Sequence, residues 1–266
     1  MLIFRFLWAA LVLLSVGPAA AAEGGSGAAA CAVPGGPAVA VVKVIDGDTL
    51  SLADGRTVHI AGIEAVKAVS AEAPTAQLAE AAAREIGSLV GGGATVTVSP
   101  QPAVPDRYGR THADVQSADG RSPGEALVMA GLARVRLFPG EKPCLAKLLA
   151  AEAAARAAGR GLWALPIFAV RSADDPSLLA RSGLYGLVEG RVASIGHGKR
   201  LVFLDFGPDY RSDFTIMVPM AMVGELPVPV DALKDRRIRV RGVIEESGGP
   251  AIRLGAPSDI ELLDGN

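Results

Sequence analysis

The stretch from Val41 to Lys67 constrains the fold most strongly, because it places two acidic clusters on either side of a tight turn signal. Asp46 and Asp48 precede the Asp-Gly pair at 54–55, and Glu64 follows it. An Asp-Gly pair between two runs of β-branched residues is typical of a β-hairpin. We therefore expect the two acidic clusters to be folded back towards each other, and we expect the chemistry of the chain to lie here.

An apolar run near the N-terminus predicts a secretory signal peptide over residues 1–22. The run extends from Leu2 to Val16 and is followed by Pro18 and by small residues up to Ala22, the pattern that signal peptidase cleaves. A retained membrane anchor is the alternative, but a span needs roughly 20 apolar residues and this run is shorter. The mature protein is therefore expected to be secreted or periplasmic, with no stable membrane span.

Charge and cysteine content limit the partners and the redox state. The formal net charge of −2 becomes −3 when Arg5 is removed with residues 1–22, which argues against a globally basic nucleic-acid binder. Both cysteines, Cys31 and Cys144, remain after cleavage. In an oxidising compartment an even number of cysteines favours a disulfide, and two unpaired thiols are the alternative.

Hydrophobic periodicity predicts a mainly β domain with helices (α+β) over residues 38–163, after a Gly- and Ala-rich flexible leader at 23–37. Alternation of period two indicates strands, and a period of 3.6 indicates helices. The predicted strands cover 39–45, 49–53, 56–63, 94–99 and 111–116, and the predicted helices cover 75–90, 123–130 and 143–158.

The second half reads as a separate β domain. Residues 164–182 lose their periodicity and are expected to form a linker. Over 183–264, five short strands separated by Gly and Pro, with little helix, predict a second small closed barrel.

One strand of this second domain carries alternating arginines. Arg237, Arg239 and Arg241 would share one face, and with Tyr210 as a stacking group they would form a weak nucleic-acid-binding stripe. An ordinary solvated strand face is the alternative, because acidic residues follow closely at 245 and 246.

Two carboxylates at the base of the first hairpin predict a metal site. Asp48 and Glu64, with a backbone carbonyl, would offer the hard oxygen ligands that suit Ca²⁺ or, less readily, Mg²⁺. Arg110 precedes the next strand pair and would reach the same opening, where its planar guanidinium can hold a phosphate. The alternative for the Asp-Gly-Asp sequence is a solvated bend between strands.

Five motifs in a fixed order resemble the thermonuclease (staphylococcal nuclease) family over about residues 39–163. They are IDGDT at 45–49, VHIAGIEA at 58–65, DRYGR at 106–110, EALVMAGLARV at 125–135 and GLW at 161–163. The resemblance implies an OB-type five-stranded β-barrel with three helices and Ca²⁺-dependent cleavage of DNA and RNA phosphodiesters. The segments at 203–216 and 238–242 resemble the second, OB-like domain of some secreted bacterial members.

The resemblance also assigns roles to individual residues. Asp48 matches a calcium-ligand aspartate, Glu64 stands at the position of the second ligand, and Ala65 would add its backbone carbonyl. Arg110 matches one of two catalytic arginines, which clamps the phosphate and stabilises its developing charge.

Two positions depart from the family. His59 stands where the other catalytic arginine belongs, and Lys67 replaces the glutamate that acts as general base. A protonated lysine cannot accept a proton from water, and loss of a general base typically costs roughly 10²–10⁴ in rate. Lys67 would also repel a nearby cation and weaken the predicted calcium site. An active enzyme would need a displaced base, either Glu72 or Glu64.

Three functions remain open at this point. The first is a binding protein for nucleic acid or another phosphorylated ligand with weak or no hydrolysis, since Lys67 and Arg110 would attract phosphate. The second is an active Ca²⁺-dependent phosphodiesterase that cleaves DNA or RNA. The third is an envelope scaffold or interaction protein, which the negative net charge favours. Lys67 is the residue that separates the first two.

Overall fold

The computed structural model of the protein describes residues 35–68, 73–102, 104–141, 143–209 and 211–264. The predicted signal peptide, Cys31, Glu72 and Tyr210 lie outside the described residues. The disulfide with Cys144, the displaced base and the stacking role of residue 210 therefore stay predictions. Among the helices described, none combines the length and the apolar character that crossing a bilayer requires.

The described part of the first half builds a closed five-stranded barrel with three helices, as predicted. The strands follow the order β1-β2-β3-β6-β5 around the barrel, and only the β3–β6 pair among them is parallel. In chain order the elements of this half are β1 (Ala38–Asp46), β2 (Thr49–Leu52), β3 (Thr57–Ile60), β4 (Ile63–Ala65), α1 (Pro74–Val90), β5 (Thr95–Pro100), β6 (Thr111–Ser117), α2 (Pro123–Met129), β7 (Ala133–Val135) and α3 (Leu145–Ala157).

Helix α2 begins where its sequence predicts. Ser122 is the N-cap, and its hydroxyl accepts a hydrogen bond from the Glu125 amide at 3.2 Å. Pro123 occupies the first turn, where its missing N–H is not needed. Since α2 packs against α3 and leads directly into β7, this cap fixes the position of β7 beside the site.

The predicted strand over 56–63 is broken at Gly62. This residue has φ +77°, and a Cβ atom there would lie 2.7 Å from Cγ of Pro143. Its amide donates to Oε2 of Glu141 at 3.1 Å. The chain turns here, and β4 leaves the barrel to pair with β7 in antiparallel register, which sets Glu64 directly opposite Arg134.

In the second half, the described strands form one mixed sheet in the order β10-β11-β12-β14-β13-β9-β8, with β15 paired to β13. The β12–β14 pair is parallel, as β3–β6 is in the first barrel. The assignment of this half as an OB-like barrel and the domain boundaries stay predictions. The strands are β8 (Arg171–Ser172), β9 (Tyr185–Arg191), β10 (Ser194–His197), β11 (Leu201–Asp205), β12 (Thr215–Pro219), β13 (Arg237–Ser247), β14 (Gly249–Arg253) and β15 (Ile260–Leu262).

The helical segments described in this half are short 3-10 helices. One of them is Met220–Glu225, between β12 and β13. Two others, Pro166–Phe168 and Leu179–Arg181, lie within the predicted linker, which also contains β8 and is therefore partly ordered.

Each half has its own hydrophobic core. Leu50, Ile86 and Leu127 are fully buried in the first, and Leu204 and Phe214 are almost fully buried in the second. Burying one such side chain stabilises by roughly 1.5–3 kcal/mol relative to leaving it exposed. The two cores are separate clusters of buried residues, and polar contacts also connect the two halves.

A buried ion pair forms the centre of this junction. Arg241 on β13 and Glu152 on α3 are both fully buried, and Nη2 of the arginine lies 3.0 Å from Oε2 of the glutamate. Arg241 also donates to the Val135 carbonyl at 3.0 Å, while the Val135 amide donates to Glu152 at 2.8 Å. The carbonyl and the amide of Val135 in β7 are thus both hydrogen-bonded to this ion pair.

Candidate functional site

Lys67 bridges the two aspartates of the first acidic cluster. Its Nζ lies 2.8 Å from Oδ2 of Asp46 and 2.8 Å from Oδ1 of Asp48. Asp48 is fully buried, and its remaining contacts are also internal: Thr49 Oγ1 donates to Oδ1 at 2.9 Å, and the Ala65 amide donates to Oδ2 at 2.8 Å. The ammonium group thus contacts Asp48, which the resemblance predicts to be a calcium ligand.

These contacts keep Asp48 ionised. Burial opposes its charge, but the hydrogen bonds and charges of His59 and Lys67 outweigh burial and hold the pKa of Asp48 far below its ordinary value. Desolvation lowers the pKa of Lys67, but the charges and hydrogen bonds of Asp48 and Asp46 outweigh desolvation. The pKa of Lys67 is therefore raised above its ordinary value. Lys67 is therefore protonated at every pH at which the protein would work.

His59, at the position of the family's other arginine, points into the protein. Its side chain is 2 % exposed, with Nδ1 3.3 Å from Oδ1 of Asp48. Its Nε2 lies 3.1 Å from the Ile63 carbonyl, so Nε2 must carry a proton to donate there. The ring packs against His112 at 4.9 Å and Phe138 at 5.2 Å between centroids. His59 supports Asp48 and cannot contact a ligand in solvent.

A second buried network lies behind His59. Nδ1 of His112 and Oε1 of Glu141 are 2.5 Å apart, and the amides of Gly62 and Phe138 both donate to Oε2 of Glu141. Sequence reasoning missed this network, because His112 and Glu141 stand among other polar residues and are 29 positions apart. It fixes the turn between β3 and β4, and with it the position of Glu64.

Glu64 is paired with two arginines. Its Oε2 is 2.5 Å from Nη2 of Arg134, and its Oε1 contacts Arg136. The register of β4 with β7 explains this pairing, because opposite charges directly across two strands attract each other. Both oxygens of Glu64 are thus paired with arginines that sequence reasoning did not single out, and its convergence with Asp48 stays a prediction.

The residues present do not fit a calcium ion. Calcium requires about six to eight oxygen ligands. Here both oxygens of Asp48 are occupied by internal donors, Glu64 is neutralised by two arginines, and the amide of Ala65, not its carbonyl, faces Asp48. Within the described ranges, no group of three or more His, Cys, Asp or Glu residues could hold a metal ion.

Arg110 lies near this cluster, as predicted. Its Nη1 donates to Thr49 Oγ1 at 3.3 Å, and Thr49 in turn donates to Asp48. Its Nε forms an ion pair with Asp106 at 2.7 Å. Desolvation raises the pKa of Asp106, but hydrogen bonds from Arg110 and Tyr108 prevail and lower it to about 2. Arg110 is therefore held in place, and 21 % of its side chain remains exposed.

The loop around Arg110 also exposes an aromatic ring to solvent. Tyr108 is 67 % exposed. The guanidinium carbons of Arg107 and Arg110 lie 4.8 Å and 5.3 Å from the centre of its ring. We call these three residues the Tyr108 surface. It combines a stacking platform with two cations.

The arginines of β13 do not form an open stripe. Arg241 is buried against Glu152 and Glu261, and Arg239 is paired with Glu189 and Glu261. Arg237 is the exposed member. Because acidic residues neutralise this face, residues 237, 239 and 241 would not attract phosphate there as an open basic stripe would.

The comparison with known protein families agrees with the barrel. Residues 57–165 match the family described as staphylococcal nuclease homologue. The matched region begins at β3 and ends just after the Gly-Leu-Trp motif, so it includes His59, Lys67 and Arg110. A comparison with curated proteins gave no significant match. The closed barrel, its three helices and the family match together show that the chain carries a domain of the staphylococcal nuclease homologue family.

Proposed function

We propose that the protein binds nucleic acid, or another phosphorylated ligand, with weak or no hydrolysis. One observation carries the proposal: the ammonium of Lys67 lies 2.8 Å from both Asp46 and Asp48. It neutralises the carboxylates that would otherwise attract a metal ion. It also replaces the general base of the family with a group that cannot accept a proton.

Three features support weak hydrolysis. The raised pKa keeps Lys67 protonated, the buried His59 cannot reach a phosphate, and Glu64 is occupied by Arg134 and Arg136. Loss of the general base alone would reduce the rate by roughly 10²–10⁴. Efficient cleavage by this site is therefore not expected.

The Tyr108 surface supports binding. An exposed aromatic ring stacks on an unpaired base, which contributes about 1–3 kcal/mol per base in single-stranded complexes. Arg107 beside the ring can contact the adjacent phosphate. This combination favours single-stranded nucleic acid over a duplex. The signal peptide predicted over residues 1–22 would place this binding outside the cytoplasm.

A binding assay tests the first part of the proposal. The protein without residues 1–22 is titrated into a fluorescent single-stranded oligonucleotide, and anisotropy is measured between about 50 and 200 mM salt. Tyr108→Ala and Arg107→Gln should each weaken binding about tenfold. Arg84→Gln, an exposed arginine on α1, is the matched control and should leave binding unchanged.

A cleavage assay tests the second part. The same oligonucleotide is incubated with Ca²⁺ or with chelator, and a His59→Arg/Lys67→Glu variant is run beside the unmodified protein. Calcium-dependent cleavage by the unmodified protein would show that it is an active phosphodiesterase and would refute weak hydrolysis. If neither binding nor cleavage is seen at low salt, the scaffold hypothesis replaces the proposal.

A further inference from the structure

A cleft of about 280 Å³ lies where the end of β4, the start of α1 and the start of the second half meet. Two of its apolar residues, Ile167 and Leu184, are 51 % and 45 % exposed. A volume of this order suits a small organic molecule. The apolar and aromatic residues that line the cleft are Val66, Leu162, Ile167, Phe168, Leu184 and Tyr185.

Positive charge dominates the polar lining of the cleft. Lys67, Arg134 and Arg181 face it, against the single carboxylate of Glu64. Lys67 and Arg134 are already paired with carboxylates. Arg181 donates to the Ile167 carbonyl at 2.5 Å and forms no ion pair with a carboxylate of the described residues. Its charge is therefore available to an anion.

The start of α1 adds to this preference for negative charge. Its N-cap, Ala73, has no side chain that can cap the helix, and its first turn contains no acidic residue. Among the residues that the structure describes, no acidic side chain of the first turn or N-cap compensates the partial positive charge at the N-terminus of this 17-residue helix.

Thr75 is an independent sign of a missing partner. It lines the cleft, it is 9 % exposed, and its hydroxyl has no hydrogen-bond partner among the residues that the structure describes. Buried hydroxyl groups in folded proteins almost always have one. A polar group brought into the cleft beside the first turn of α1 would supply it.

We propose that this cleft binds a small amphipathic anion. Arg181, Thr75 and the first turn of α1 hold its carboxylate or phosphate head, and Phe168 and Leu184 pack against its apolar or aromatic body. The two kinds of head share the negative charge and the acceptor oxygens that these groups require. The cleft shares Lys67 with the candidate site but does not include the Tyr108 surface, so the two proposals can be tested separately.

Titration calorimetry on the protein without residues 1–22 tests the inference. The probes are phenyl phosphate and octanoate as amphipathic anions, and inorganic phosphate as a head without a body. At least one amphipathic anion should bind with a dissociation constant below about 1 mM, and inorganic phosphate should bind about tenfold or more weakly. The probe that binds more tightly identifies the head group.

Variants then locate the site. Arg181→Gln and Thr75→Val should each weaken binding of the amphipathic anion about tenfold, because each removes one contact to the head. Arg84→Gln should have no effect, since this exposed arginine of α1 does not line the cleft. Thermal unfolding of each variant shows whether it is folded, and Arg181→Lys, which keeps the charge, should retain part of the affinity.

Two outcomes would overturn the inference. One is that neither amphipathic anion binds to the unmodified protein at millimolar concentration. The other is that binding is the same in folded Arg181→Gln and Thr75→Val variants as in the unmodified protein. Failure of nucleic-acid binding through the Tyr108 surface would leave the inference intact, because the variants and the probes are different.

Discussion

Nη2 of Arg241 lies 3.0 Å from Oε2 of Glu152, and neither side chain is exposed to solvent. The arginine belongs to β13 of the second half, and the glutamate belongs to the last helix of the family-matched domain. Burial lowers the pKa of an arginine, but Glu152 and its neighbours outweigh burial and raise the pKa of Arg241. Arg241 is therefore charged although it is buried, and it depends on these carboxylates to compensate its charge.

Arg241→Met should lower the free energy of unfolding by about 3 kcal/mol, because it removes the buried cation shared by Glu152 and Glu261 and leaves Glu152 with Arg156 as its ionic partner. Urea unfolding followed by circular dichroism measures the change. The double variant Arg241→Met/Glu152→Gln should recover part of the loss. Arg253→Met is the matched control: Arg253 pairs with Glu245 at the surface, and its loss should change stability by less than about 1 kcal/mol. A similar small effect at Arg241 would contradict the proposed role.

Lys67→Met should destabilise the protein at neutral pH by about 2–3 kcal/mol, since Asp48 loses a charged hydrogen-bond partner. The pKa of Asp48 is depressed in the folded state, so its contribution to stability is complete above the unfolded pKa of about 4 and declines as the pH falls below it. Removal of Lys67 raises the folded pKa of Asp48 in the variant, so the difference between the two proteins should be constant near neutral pH and should shrink only as the pH falls below that higher pKa. Denaturation at pH 7, 4 and 3 measures it.

The control for this prediction is Lys43→Met, because Lys43 is an exposed lysine on β1. It should change stability by less than about 0.5 kcal/mol at any of these pH values. If Lys67→Met behaved in the same way, the lysine would not be holding the acidic cluster together.

Asp114→Asn should stabilise the protein at pH 7. Burial raises the pKa of Asp114 to about 6, with the charge of Glu141 adding to the rise and the hydrogen bond from Gln101 opposing it. A carboxyl group whose pKa is raised in the folded state destabilises the fold above that pKa, where it must ionise while it is buried. This cost in stability disappears below the pKa of the unfolded state.

The expected gain is about 1 kcal/mol at pH 7, after allowance for the partial exposure of the group, and nearly none at pH 4. Unfolding midpoints of the two proteins at both pH values check this. An equal gain at both would mean that ionisation of Asp114 is not the cause.

Gly131→Ala should destabilise the protein by at least about 2 kcal/mol. Gly131 has φ +70°, and a Cβ atom there would lie 2.2 Å from the Arg160 carbonyl oxygen. The opposite glycine, Gly161, has φ +53° and would meet the Gly131 carbonyl oxygen at 2.2 Å. The two glycines of the GLARV and GLW motifs therefore let two chain segments touch.

Gly87→Ala is the control for this substitution. Gly87 lies inside α1 with open space around the position of a Cβ atom, so alanine should stabilise by about 0.5–1 kcal/mol. Thermal unfolding of both variants is the measurement. If Gly131→Ala were as stable as the unmodified protein, the chain segments at residues 131 and 161 would not be in close contact.

Turn residues, helix caps and strand alternation predicted the barrel correctly, because each of these patterns depends on residues that are close together in the sequence. The Ser122 cap, the hairpin at 54–55 and the strand alternation all act within a few residues. The side-chain partners of the site were harder to predict. Glu64 meets Arg134 only because Gly62 turns the chain into β4, and Arg241 is buried only because Glu152, 89 positions away, lies opposite it. Such pairings depend on register and on packing between distant segments.

The surroundings of His59 bear on how this site could change over evolutionary time. Its ring fills a space bounded by His112 and Phe138, and Glu141 holds both of these neighbours in place. A longer arginine at position 59 would have to displace these rings, and a glutamate at position 67 would bring a third carboxylate beside Asp46 and Asp48. We expect either change alone to destabilise the folded protein. Under the proposed function, hydrolysis would therefore be restored only by substitutions at positions 59 and 67 made together with changes in their neighbours.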